Sequence, residues 1–594
     1  MMPRAALAFS SNSQRSRPLD AARLINLFPE TPPFGSRAPG LQTGALASPM
    51  KAVLYGTPGL KTSLAIPPTA ESCRAARQAL GYLWALFGSY LYRIDSSGAV
   101  LGCSGDLISA EGSAMMSDNG IQLAVLANGE TFVVGAATAK FTFQVTGGSY
   151  TTGTNTISAL TVDGVAIIGG AVDWTDSNAG TARAIAKAVN DLTSSPDYTA
   201  TVTDDKVTIA AATAGTASNG LAVAITVAGD VTVSAAIGTL TGGAAVSTNV
   251  QKVVATGYPV EGADSLDYMD GYTIWNRTGT KQFFLSGLYD TTAIDALDFA
   301  SAESTPATLL RVLVAQRELW LFKAQGIEIW TDTGASPFPF ARIPGAVIER
   351  GCAAGLTCAK TDLSVFWLGD DLIVYRATGY QPTRISTHGM EDEIRAFSTV
   401  TDAFAFTYTQ GGHAFYVLTF PTAGRTYCFD AATNGWHDRQ SGTSQVPAVW
   451  KVANVTAAFG KLYAGFTLGR LCELDMDTFD EAGEPIRRVV RTAPFYADGK
   501  RAIMNVVELE CELGVGTISG QGGDPQVMLR WSDDGGATWS NERSASMGER
   551  GVRGRRVLFR RLGAFRQRML EFSISDPVKP ALYGIRHETQ ALAA

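Results

Sequence analysis

Short runs of alternating apolar and polar residues, each followed by a turn and a second such run, recur along most of the chain. In residues 318–332, aliphatic residues alternate with aromatic or charged ones on both sides of a polar segment at 323–326. A period of two interrupted by turn-forming residues predicts a β-hairpin. The same pattern predicts further hairpins at residues 82–94, 121–134, 272–285, 365–375, 413–429 and 462–474.

The spacing of these hairpins indicates a repeat. Their starts lie roughly 40 to 50 residues apart, except for one step of about 150 residues between the second and the third, and the shorter spacing is typical of a four-stranded propeller blade. We therefore predict a mainly β protein whose centre is a β-propeller of about six or seven blades. Its blades would occupy residues 63–139 and 244–485.

The long step coincides with a change in composition between residues 140 and 243, where Thr, Ala, Gly and Val dominate. Strands are predicted at 141–145, 160–168, 198–202, 206–210 and 221–227. Apolar residues recur with helical spacing at 181–192, and Ser177 or Asn178 can cap such a helix. We interpret 140–243 as a small α+β domain inserted in a blade loop, where insertions are tolerated.

Two other regions flank the predicted propeller. Residues 1–62 lack periodicity and are rich in proline, which disfavours both helices and central strands, so an extended N-terminal arm is predicted. The arm could fold back on its own domain or dock on a neighbouring subunit, and the sequence leaves both open. Residues 486–594 depart from the repeat but retain strand patterns, which indicates a C-terminal β region.

Composition and charge narrow the classes of function. The 62 glycines among 594 residues suit a protein rich in turns. A net charge of −7 argues against a general nucleic-acid binder. The sequence contains no uninterrupted apolar run of about 18 residues, so no membrane span is predicted. The N-terminus lacks the apolar core of a secretory signal.

Candidate catalytic and metal-binding residues are few. The seven cysteines are scattered and odd in number, which favours reduced thiols made in a cytoplasm. Cys352 and Cys358 have no second pair and no nearby His, so no zinc site is predicted. Asp370 and Asp371 could serve as glycosidase carboxylates, but adjacent strand residues point to opposite faces and a Gly-Asp-Asp turn is the simpler interpretation. We assign no catalytic, cofactor-binding or metal-binding residue.

The best local motif matches the Asp-box pattern Ser-x-Asp-x-Gly-x-Thr-Trp through Ser532, Asp534, Gly536, Thr538 and Trp539. We predict a structural turn in which Asp534 accepts backbone N–H bonds, Gly536 supplies a positive φ and Trp539 covers the hairpin. A single copy of this motif is a sign of a turn rather than of chemistry.

The Asp-box also raises an enzyme hypothesis. Sialidase propellers carry several Asp-boxes, and Arg342, Ile343 and Pro344 resemble their Arg-Ile-Pro signature. The resemblance ends there, because one box is present and no catalytic set can be assigned from spacing. A glycan-binding or sialidase-like carbohydrate-active propeller is therefore the alternative hypothesis.

One stretch of the C-terminal region is strongly basic. Eight arginines without an intervening acidic residue stand at Arg550, Arg553, Arg555, Arg556, Arg560, Arg561, Arg566 and Arg568. Exclusive use of Arg favours bidentate pairing with carboxylates or phosphates, so Arg555, Arg556, Arg560 and Arg561 are our candidate subunit interface. The alternative is a solvated edge strand that its charges protect from aggregation.

Several short motifs at the two ends of the chain carry a family resemblance. They are Asn-Leu-Phe-Pro-Glu at 26–30, Leu-Tyr-Gly-Thr-Pro-Gly-Leu at 54–60, Arg-Trp-Ser-Asp-Asp-Gly-Gly-Ala-Thr-Trp-Ser at 530–540, Gly-Arg-Arg at 554–556, Arg-Leu-Gly at 561–563 and Ser-Asp-Pro at 575–577. In this order they resemble the packaged-DNA stabilisation proteins, or tail hub (nozzle) proteins, of short-tailed, podovirus-type bacteriophages. The segment at about 140–243 lies outside this resemblance and is similar to generic phage-tail decoration modules.

The resemblance implies a structural virion protein that is neither an enzyme nor dependent on a cofactor. Six copies would form a hexameric ring below the portal and the tail adaptor. The ring would continue the DNA channel, retain the packaged genome and anchor a tail needle, spikes or fibres. Double-stranded DNA would pass through it during ejection without sequence-specific binding. The protein would be made in the host bacterial cytoplasm and would reside in the virion tail.

Overall fold

The computed structural model describes residues 4–5, 7–8, 10–13, 21–30, 52–65, 71–105, 108–110, 112–135, 138–212, 215–243, 249–335, 337–466, 469–497 and 499–592. The chain forms two compact units. One consists of Met1–Cys73 with Ile348–Ala594, and the other of Arg74–Val347. None of the described helices is long and apolar enough to cross a membrane.

The described part of the unit Arg74–Val347 contains four sheets of the predicted hairpin type, which we number 1 to 4, and only their end residues Cys73 and Ile348 fall outside the unit. Sheet 1 consists of Cys73–Ala79, Tyr82–Phe87, Tyr90–Ile94 and Val100–Gly102. Sheet 2 consists of Ala114–Asp118, Gln122–Ala127, Glu130–Gly135 and Asn249–Lys252, with Ser104–Gly105 beside the last strand. Sheet 3 consists of Leu266–Met269, Tyr272–Asn276, Gln282–Leu285 and Phe299–Ser301. Sheet 4 consists of Leu309–Ala315, Glu318–Lys323, Ile327–Asp332 and Phe340–Ile348.

Local chemistry explains the turns of these sheets. Asn128 and Gly129 have φ of 50° and 80°, and Asp270 and Gly271 have φ of 46° and 98°. Positive φ at both central residues is the requirement of the two-residue hairpin turn that matches strand twist, and Asn-Gly and Asp-Gly satisfy it best. Successive sheets then bury their apolar faces in shared clusters, between sheets 1 and 2, 2 and 3, and 3 and 4.

The segment that follows Gly135 leaves sheet 2 and returns to it at Asn249. It contains helix α1 (Asn178–Asn190), capped by Ser177, whose Oγ accepts a hydrogen bond from Gly180 N at 3.0 Å. Its strands are Lys140–Gly147, Thr156–Val162, Val165–Ala166, Val172–Asp173, Tyr198–Thr203, Lys206–Ala211, Ala222–Ala228, Thr232–Val233 and Ile237–Thr239. They share one buried cluster with α1. The domain boundaries at 140 and 243 stay predictions.

One strand prediction in this segment is wrong. Residues 160–168 do not form one strand, because Asp163 and Gly164 adopt φ of 49° and 82° and reverse the chain into Val165–Ala166. The Asp-Gly pair is the turn signal that the apolar run concealed.

The other unit contains three further sheets of the same type, numbered 5 to 7. Sheet 5 consists of Ala359–Thr361, Ser364–Leu368, Val374–Thr378 and Gln381–Arg384, preceded by a 3₁₀ turn at Gly355–Thr357. Sheet 6 consists of Phe404–Gln410, His413–Phe420, Arg425–Asp430 and Gly435–Asp438. Sheet 7 consists of Val452–Ala458, Lys461–Phe466, Arg470–Asp475 and Gly59–Ala65, extended by Asp480–Glu481 and Glu484–Pro485. All seven predicted hairpins are confirmed as strand pairs.

Two more sheets of this unit form a sandwich around one buried cluster. The first consists of Asn12–Ser13, Ala21–Ile25, Arg488–Arg491, Phe495–Tyr496, Gln526–Ser532, Arg543–Ser546 and Gln567–Ile574. The second consists of Arg4–Ala5, Leu27–Glu30, Val53–Gly56, Ala502–Cys511, Val557–Phe565 and Ala581–Ala591. The first sheet is continuous with sheet 6, because Ile25 pairs with Asp438.

The N-terminal residues need a correction. The predicted boundary of the arm at residue 62 falls inside Gly59–Ala65, which pairs with Arg470–Asp475 and completes sheet 7. Ala21–Ile25 and Val53–Gly56 likewise pair with strands of the C-terminal region. The described part of residues 1–62 therefore folds on its own chain because its apolar residues complete sheets there. Residues 31–51 lie outside the described residues.

Candidate functional site

The Asp-box forms the turn after the strand Gln526–Ser532. Asp534 accepts hydrogen bonds from Thr538 N at 2.9 and 3.0 Å and from Thr538 Oγ1 at 2.5 Å. Ser532 Oγ donates to Asp534 Oδ1 at 2.7 Å and accepts from Gly536 N at 2.8 Å, where φ is 90°. Hydrogen bonding from the Thr538 side chain and backbone holds the pKa of Asp534 well below its usual range. The carboxylate is thus occupied by its own turn, which gives a sialidase-like role no support.

Trp539, the last residue of the box, lies against two arginines. The guanidinium carbon of Arg491 is 4.7 Å from a Trp539 ring centroid, and that of Arg530 is 4.8 Å from it. Such contacts between cations and an aromatic ring are favourable and stronger when partly desolvated. Trp539 therefore joins the box to a cluster of charged side chains.

Glu571 is the centre of that cluster. It is buried and lies 3.1 Å from Arg487, 2.7 Å from Arg491 and 2.6 Å from Arg530. Burial alone would raise the pKa of Glu571, but the surrounding guanidiniums more than offset it and lower the pKa below its ordinary value. A carboxylate bound by several arginines fixes their planes relative to one another.

Arg491, Arg530 and Trp539 form one wall of a cavity of about 380 Å³, and Glu571 and Arg487 lie behind it. The residues that line it come from the N-terminal strands, helix α2 (His388–Arg395), sheet 6 and the sandwich. They are Ser11, Ala22, Arg23, Thr387, Met390, Glu393, Arg425, Tyr427, Trp436, Asp438, Gln445, Val446, Pro447, Arg491, Arg530, Gly535, Gly536 and Trp539.

The opposite wall is also built from ion pairs. Arg23 Nε donates to Asp438 Oδ2 at 2.8 Å, and Arg425 Nη2 lies 2.5 Å from Glu393 Oε2 and 3.8 Å from Asp438. Burial tends to raise the pKa of Asp438, but the charges of Arg23 and Arg425 hold it below its usual value. The walls therefore present both donors and acceptors in fixed positions.

The sequence predicts neither this cavity nor α2. The start of α2 does carry two ordinary signals, because Thr387 accepts a hydrogen bond from Met390 N at 3.4 Å and Glu391 lies in the first turn. The remaining lining residues come from segments more than 400 positions apart, such as Arg23 and Asp438. No local pattern could have joined them.

The arginine-rich stretch does not form one exposed cluster. Arg568 is buried and pairs with Asp533, with Nε to Oδ1 at 2.7 Å, while its Nη1 donates to Leu562 O at 3.0 Å. Arg556 is exposed but binds Glu508 through Nε at 2.7 Å and Nη2 at 2.6 Å. These two residues already have partners in their own chain, and a place for Arg556 at a subunit interface stays a prediction.

The other candidate residues stand on or beside the edge strand Val557–Phe565. Arg555, Arg560 and Arg561 are exposed, and in the part of the chain that the structure describes they form no ion pair. Arg543 Nη1 donates to the carbonyl oxygens of Arg560 at 2.8 Å and Arg561 at 3.4 Å. The edge is thus protected against strand addition, and unpaired cations remain exposed along it.

The remaining candidates of the sequence are structural. Asp371 Oδ2 accepts from Tyr375 Oη at 2.8 Å, and Asp370 Oδ1 accepts from Gly351 N at 3.2 Å, so both carboxylates hold the turn between two strands of sheet 5. The Sγ atoms of Cys352 and Cys358 lie 3.5 Å apart in a buried position. Among the described residues, no group of His, Cys, Asp and Glu side chains is arranged to hold a metal ion.

Comparison with protein families finds two matches that together cover most of the chain. Residues 144–479 match the family described as Bacteriophage P22 Gp10, beta-propeller, and residues 487–590 match Bacteriophage P22 Gp10, beta-sandwich. The first match alone spans more than half of the chain. No curated protein matches it significantly.

Similarity to solved structures is weak. The computationally designed Ika8 protein has 10% identity and a TM-score of 0.29, covering 70% of this chain and 99% of that one. PorZ of the type-IX secretion system of Porphyromonas gingivalis has 10% identity and a TM-score of 0.30, covering 76% and 44%. Exo-beta-1,3-galactanase of Phanerochaete chrysosporium has 9% identity and a TM-score of 0.21, covering 55% and 95%. TM-scores this low carry no argument about function.

Proposed function

The chain belongs to the bacteriophage P22 Gp10 family of structural phage tail proteins, and we propose that it forms the hub, or nozzle, ring below the portal and the tail adaptor. In this proposal six copies surround and continue the DNA channel, retain the packaged genome and anchor a needle, spikes or fibres. The family is one of structural phage proteins rather than enzymes. The family match over both the propeller and the sandwich regions is the observation that carries the proposal.

The fold supports a rigid role. The seven sheets of propeller type provide stiff, closely packed β structure with many connecting loops for neighbouring proteins. The net charge of −7 limits adhesion to DNA, which must pass rather than bind. Synthesis in the host cytoplasm, before assembly into the virion, suits the seven free cysteines.

Within the ring, we assign the exposed arginines of the edge to the subunit seam. Arg555, Arg560 and Arg561 would pair with acidic side chains of a neighbouring subunit or of the adaptor. Exposed cations without a partner in their own chain support this assignment, because planar guanidiniums bind carboxylates in bidentate geometry. Arg556 is left out of the seam, since Glu508 binds it.

Electron microscopy and native mass spectrometry of the purified full chain test the ring. We expect closed hexameric rings, alone or on adding the adaptor, whose stability falls as salt rises and exposed ion pairs are screened. A chain that stays monomeric with its adaptor present would contradict the proposal.

A triple variant tests the seam separately. Arg555→Gln, Arg560→Gln and Arg561→Gln together should leave the monomer folded and weaken the ring. Arg317→Gln provides a control, because Arg317 is an exposed arginine of the other unit and binds Asp270 at 3.0 Å. Rings of unchanged strength and salt dependence in the triple variant would remove these residues from the seam. Salt-sensitive DNA binding lost in the triple variant would place them on the channel wall.

A further inference from the structure

A cavity of about 380 Å³ lies between sheet 6, α2 and the sandwich. We propose that it binds a saccharide that carries a carboxylate, such as a uronic acid. This inference concerns a ligand site, and it stands or falls independently of ring formation.

The side chains that line the cavity carry a surplus of positive charge. Four arginines line the cavity, Arg23, Arg425, Arg491 and Arg530, against two carboxylates, Glu393 and Asp438. Behind the wall, Glu571 is matched by Arg487, so the surplus of two positive charges remains. A cavity with such a surplus and low exposure attracts an anion more strongly than an open surface does.

The lining of the cavity offers both hydrogen-bond donors and acceptors. Within the described residues, the side-chain hydrogen bond of Arg23 uses only Nε, and its Nη groups remain for a ligand. Glu393 lines the same cavity, and its side chain is 41% exposed, so its carboxylate offers acceptor oxygens there. An inorganic anion would use donors alone, whereas each sugar hydroxyl donates one hydrogen bond and accepts others. The lining therefore suits a ligand with hydroxyl groups as well as a carboxylate.

The arginine side chains on one wall of the cavity are held in place before a ligand binds. The guanidinium planes of Arg491 and Arg530 are held by Glu571 at 2.7 and 2.6 Å, and Arg530 Nη1 also donates to Gln445 Oε1 at 2.6 Å. Side chains fixed by such bonds lose little entropy when a ligand arrives. The volume lies within the range of about 300–1,000 Å³ that is usual for small-molecule sites.

Aromatic side chains also form part of the cavity lining. Trp539, Trp436 and Tyr427 line the same cavity as the charged groups. Amphipathic rings offer apolar area to the C–H face of a sugar while their polar edges hydrogen-bond. Trp436 Nε1 already donates to Ile385 O at 2.7 Å, which fixes its ring. An acidic peptide would also be attracted by the positive charge of the lining, but it has fewer hydroxyl groups to pair with the closely spaced donors and acceptors.

Isothermal titration of the full chain with three small probes tests the proposal. Glucuronate carries both features, glucose carries the ring without the charge, and acetate carries the charge without the ring. We expect glucuronate to bind at least about tenfold more tightly than either, since a charge-assisted hydrogen bond is worth about that factor. Equal binding of acetate and glucuronate would reduce the cavity to a simple anion site and overturn the proposal, as would no binding of glucuronate.

Two substitutions of opposite sign locate the binding. Gln445→Glu adds a negative charge to the lining and should weaken glucuronate by about tenfold, whereas Glu393→Gln removes one and should strengthen it. Gln590→Glu, at an exposed position on the strand Ala581–Ala591, is the control and should change nothing. Unfolding midpoints establish that each variant is folded. Affinity that both cavity variants leave unchanged would show that the cavity is not the site, and tight binding of an acidic peptide in place of glucuronate would also contradict the assignment.

Discussion

Lys323 Nζ lies 3.0 Å from Glu328 Oε1 inside sheet 4, and the two side chains are 0% and 1% exposed. Lys323 Nζ also lies within hydrogen-bonding distance of Ala302 O at 3.2 Å, Ser304 Oγ at 2.9 Å and Thr305 O at 3.1 Å, so its three N–H groups are shared among four acceptors. Burial alone would raise the pKa of Glu328, but hydrogen bonds from Ser304 and Lys323 lower it. The pair is buried and fully hydrogen-bonded, a combination in which loss of one partner is costly.

Lys323→Met should therefore lower the free energy of unfolding by about 3–5 kcal/mol, because Glu328 is left buried without its counter-ion. Chemical denaturation measures the change. Lys461→Met is the control: Lys461 binds Glu473 at 2.9 Å on the surface, so its loss should have little effect. Equal effects of the two substitutions would contradict the importance of the buried pair.

Gly56→Ala tests the close packing between the N-terminal residues and the sandwich. A Cβ at Gly56 would lie 2.6 Å from Pro580 Cγ and 2.8 Å from Arg488 Nε. Relief requires backbone shifts, so we expect a loss of about 1–3 kcal/mol in unfolding free energy. Gly554→Ala, where an added Cβ meets no atom within 4 Å, should be nearly neutral. A stable Gly56→Ala variant would mean that Pro580 moves freely.

His437 should make the protein sensitive to acid. It is buried, neither ring nitrogen has a hydrogen-bond partner among the described residues, and burial together with the charge of Arg439 lowers its pKa from 6.5 to about 3. Because the folded state disfavours the proton, stability is complete above pH 6.5 and falls below it, by up to about 1.4 kcal/mol per pH unit.

His437→Phe tests this slope. The ring of His437 lies 6.4 Å from Phe28 and 5.9 Å from Phe415, so an apolar ring suits the site. The variant should be at least as stable at neutral pH, and between pH 6.5 and about pH 4.5 its stability should fall less steeply than that of the wild type, because the contributions of the other groups that titrate there, such as Asp298, whose pKa burial raises to about 6, are common to both chains. His413 acts in the opposite sense. The hydrogen bond that the Asp430 carboxylate accepts from His413 Nδ1 at 2.8 Å raises the pKa of His413, so the stability it contributes is complete below pH 6.5 and is lost as the pH rises above that value. Identical slopes in wild type and variant would exclude His437.

The N-terminal strands should be required for folding. Leu24 is 0% exposed in the sandwich core, and Leu24→Ala should cost about 2–5 kcal/mol in unfolding free energy. Removal of residues 1–60 also deletes part of the strand Gly59–Ala65 of sheet 7 and should leave an aggregating chain. Leu592→Ala, at a residue 36% exposed, is the control and should change stability little. A folded, soluble truncated chain would restore the prediction of a separate arm.

The segment 140–243 should be dispensable for the fold of its neighbours. Among the described residues, its buried cluster consists of side chains between Ala139 and Leu240. The flanking strands lie side by side in sheet 2, where Phe132 pairs with Lys252. Replacing the segment by a short Gly/Ser linker should give a soluble chain with a cooperative unfolding transition. Lys140→Ala is the control, because it removes only the ion pair with Asp290. Aggregation of the deletion variant beside a folded Lys140→Ala would show that the segment is integral.

The sequence by itself determined the positions of the hairpins and the mainly β character of the fold. The alternation of Leu319, Leu321, Ile327 and Ile329 is local, and so is the turn chemistry of Asn128 with Gly129, so strand pairs that are neighbours in sequence could be read directly. The Asp-box turn could be read for the same reason, since its hydrogen bonds join residues at most four positions apart. The family that the motifs resemble is the one that matches, but only the motifs at 530–577 lie inside the matched residues, and those at 26–30 and 54–60 lie outside them. The match at 144–479 also includes most of the segment 140–243, which corrects the expectation that this segment lies outside the family resemblance.

Only the tertiary structure decided which distant segments meet. Leu471 pairs with Leu64 and Arg23 binds Asp438, each across more than 400 residues, and no periodicity encodes such partners. The same limit applies to the arginine-rich stretch, where Arg568 pairs with Asp533 and Arg556 with Glu508, both distant in sequence, while Arg560 stays exposed. Local propensity selects strands and turns, but long-range burial and charge pairing select their neighbours, because those free energies depend on contacts that exist only once the chain has folded.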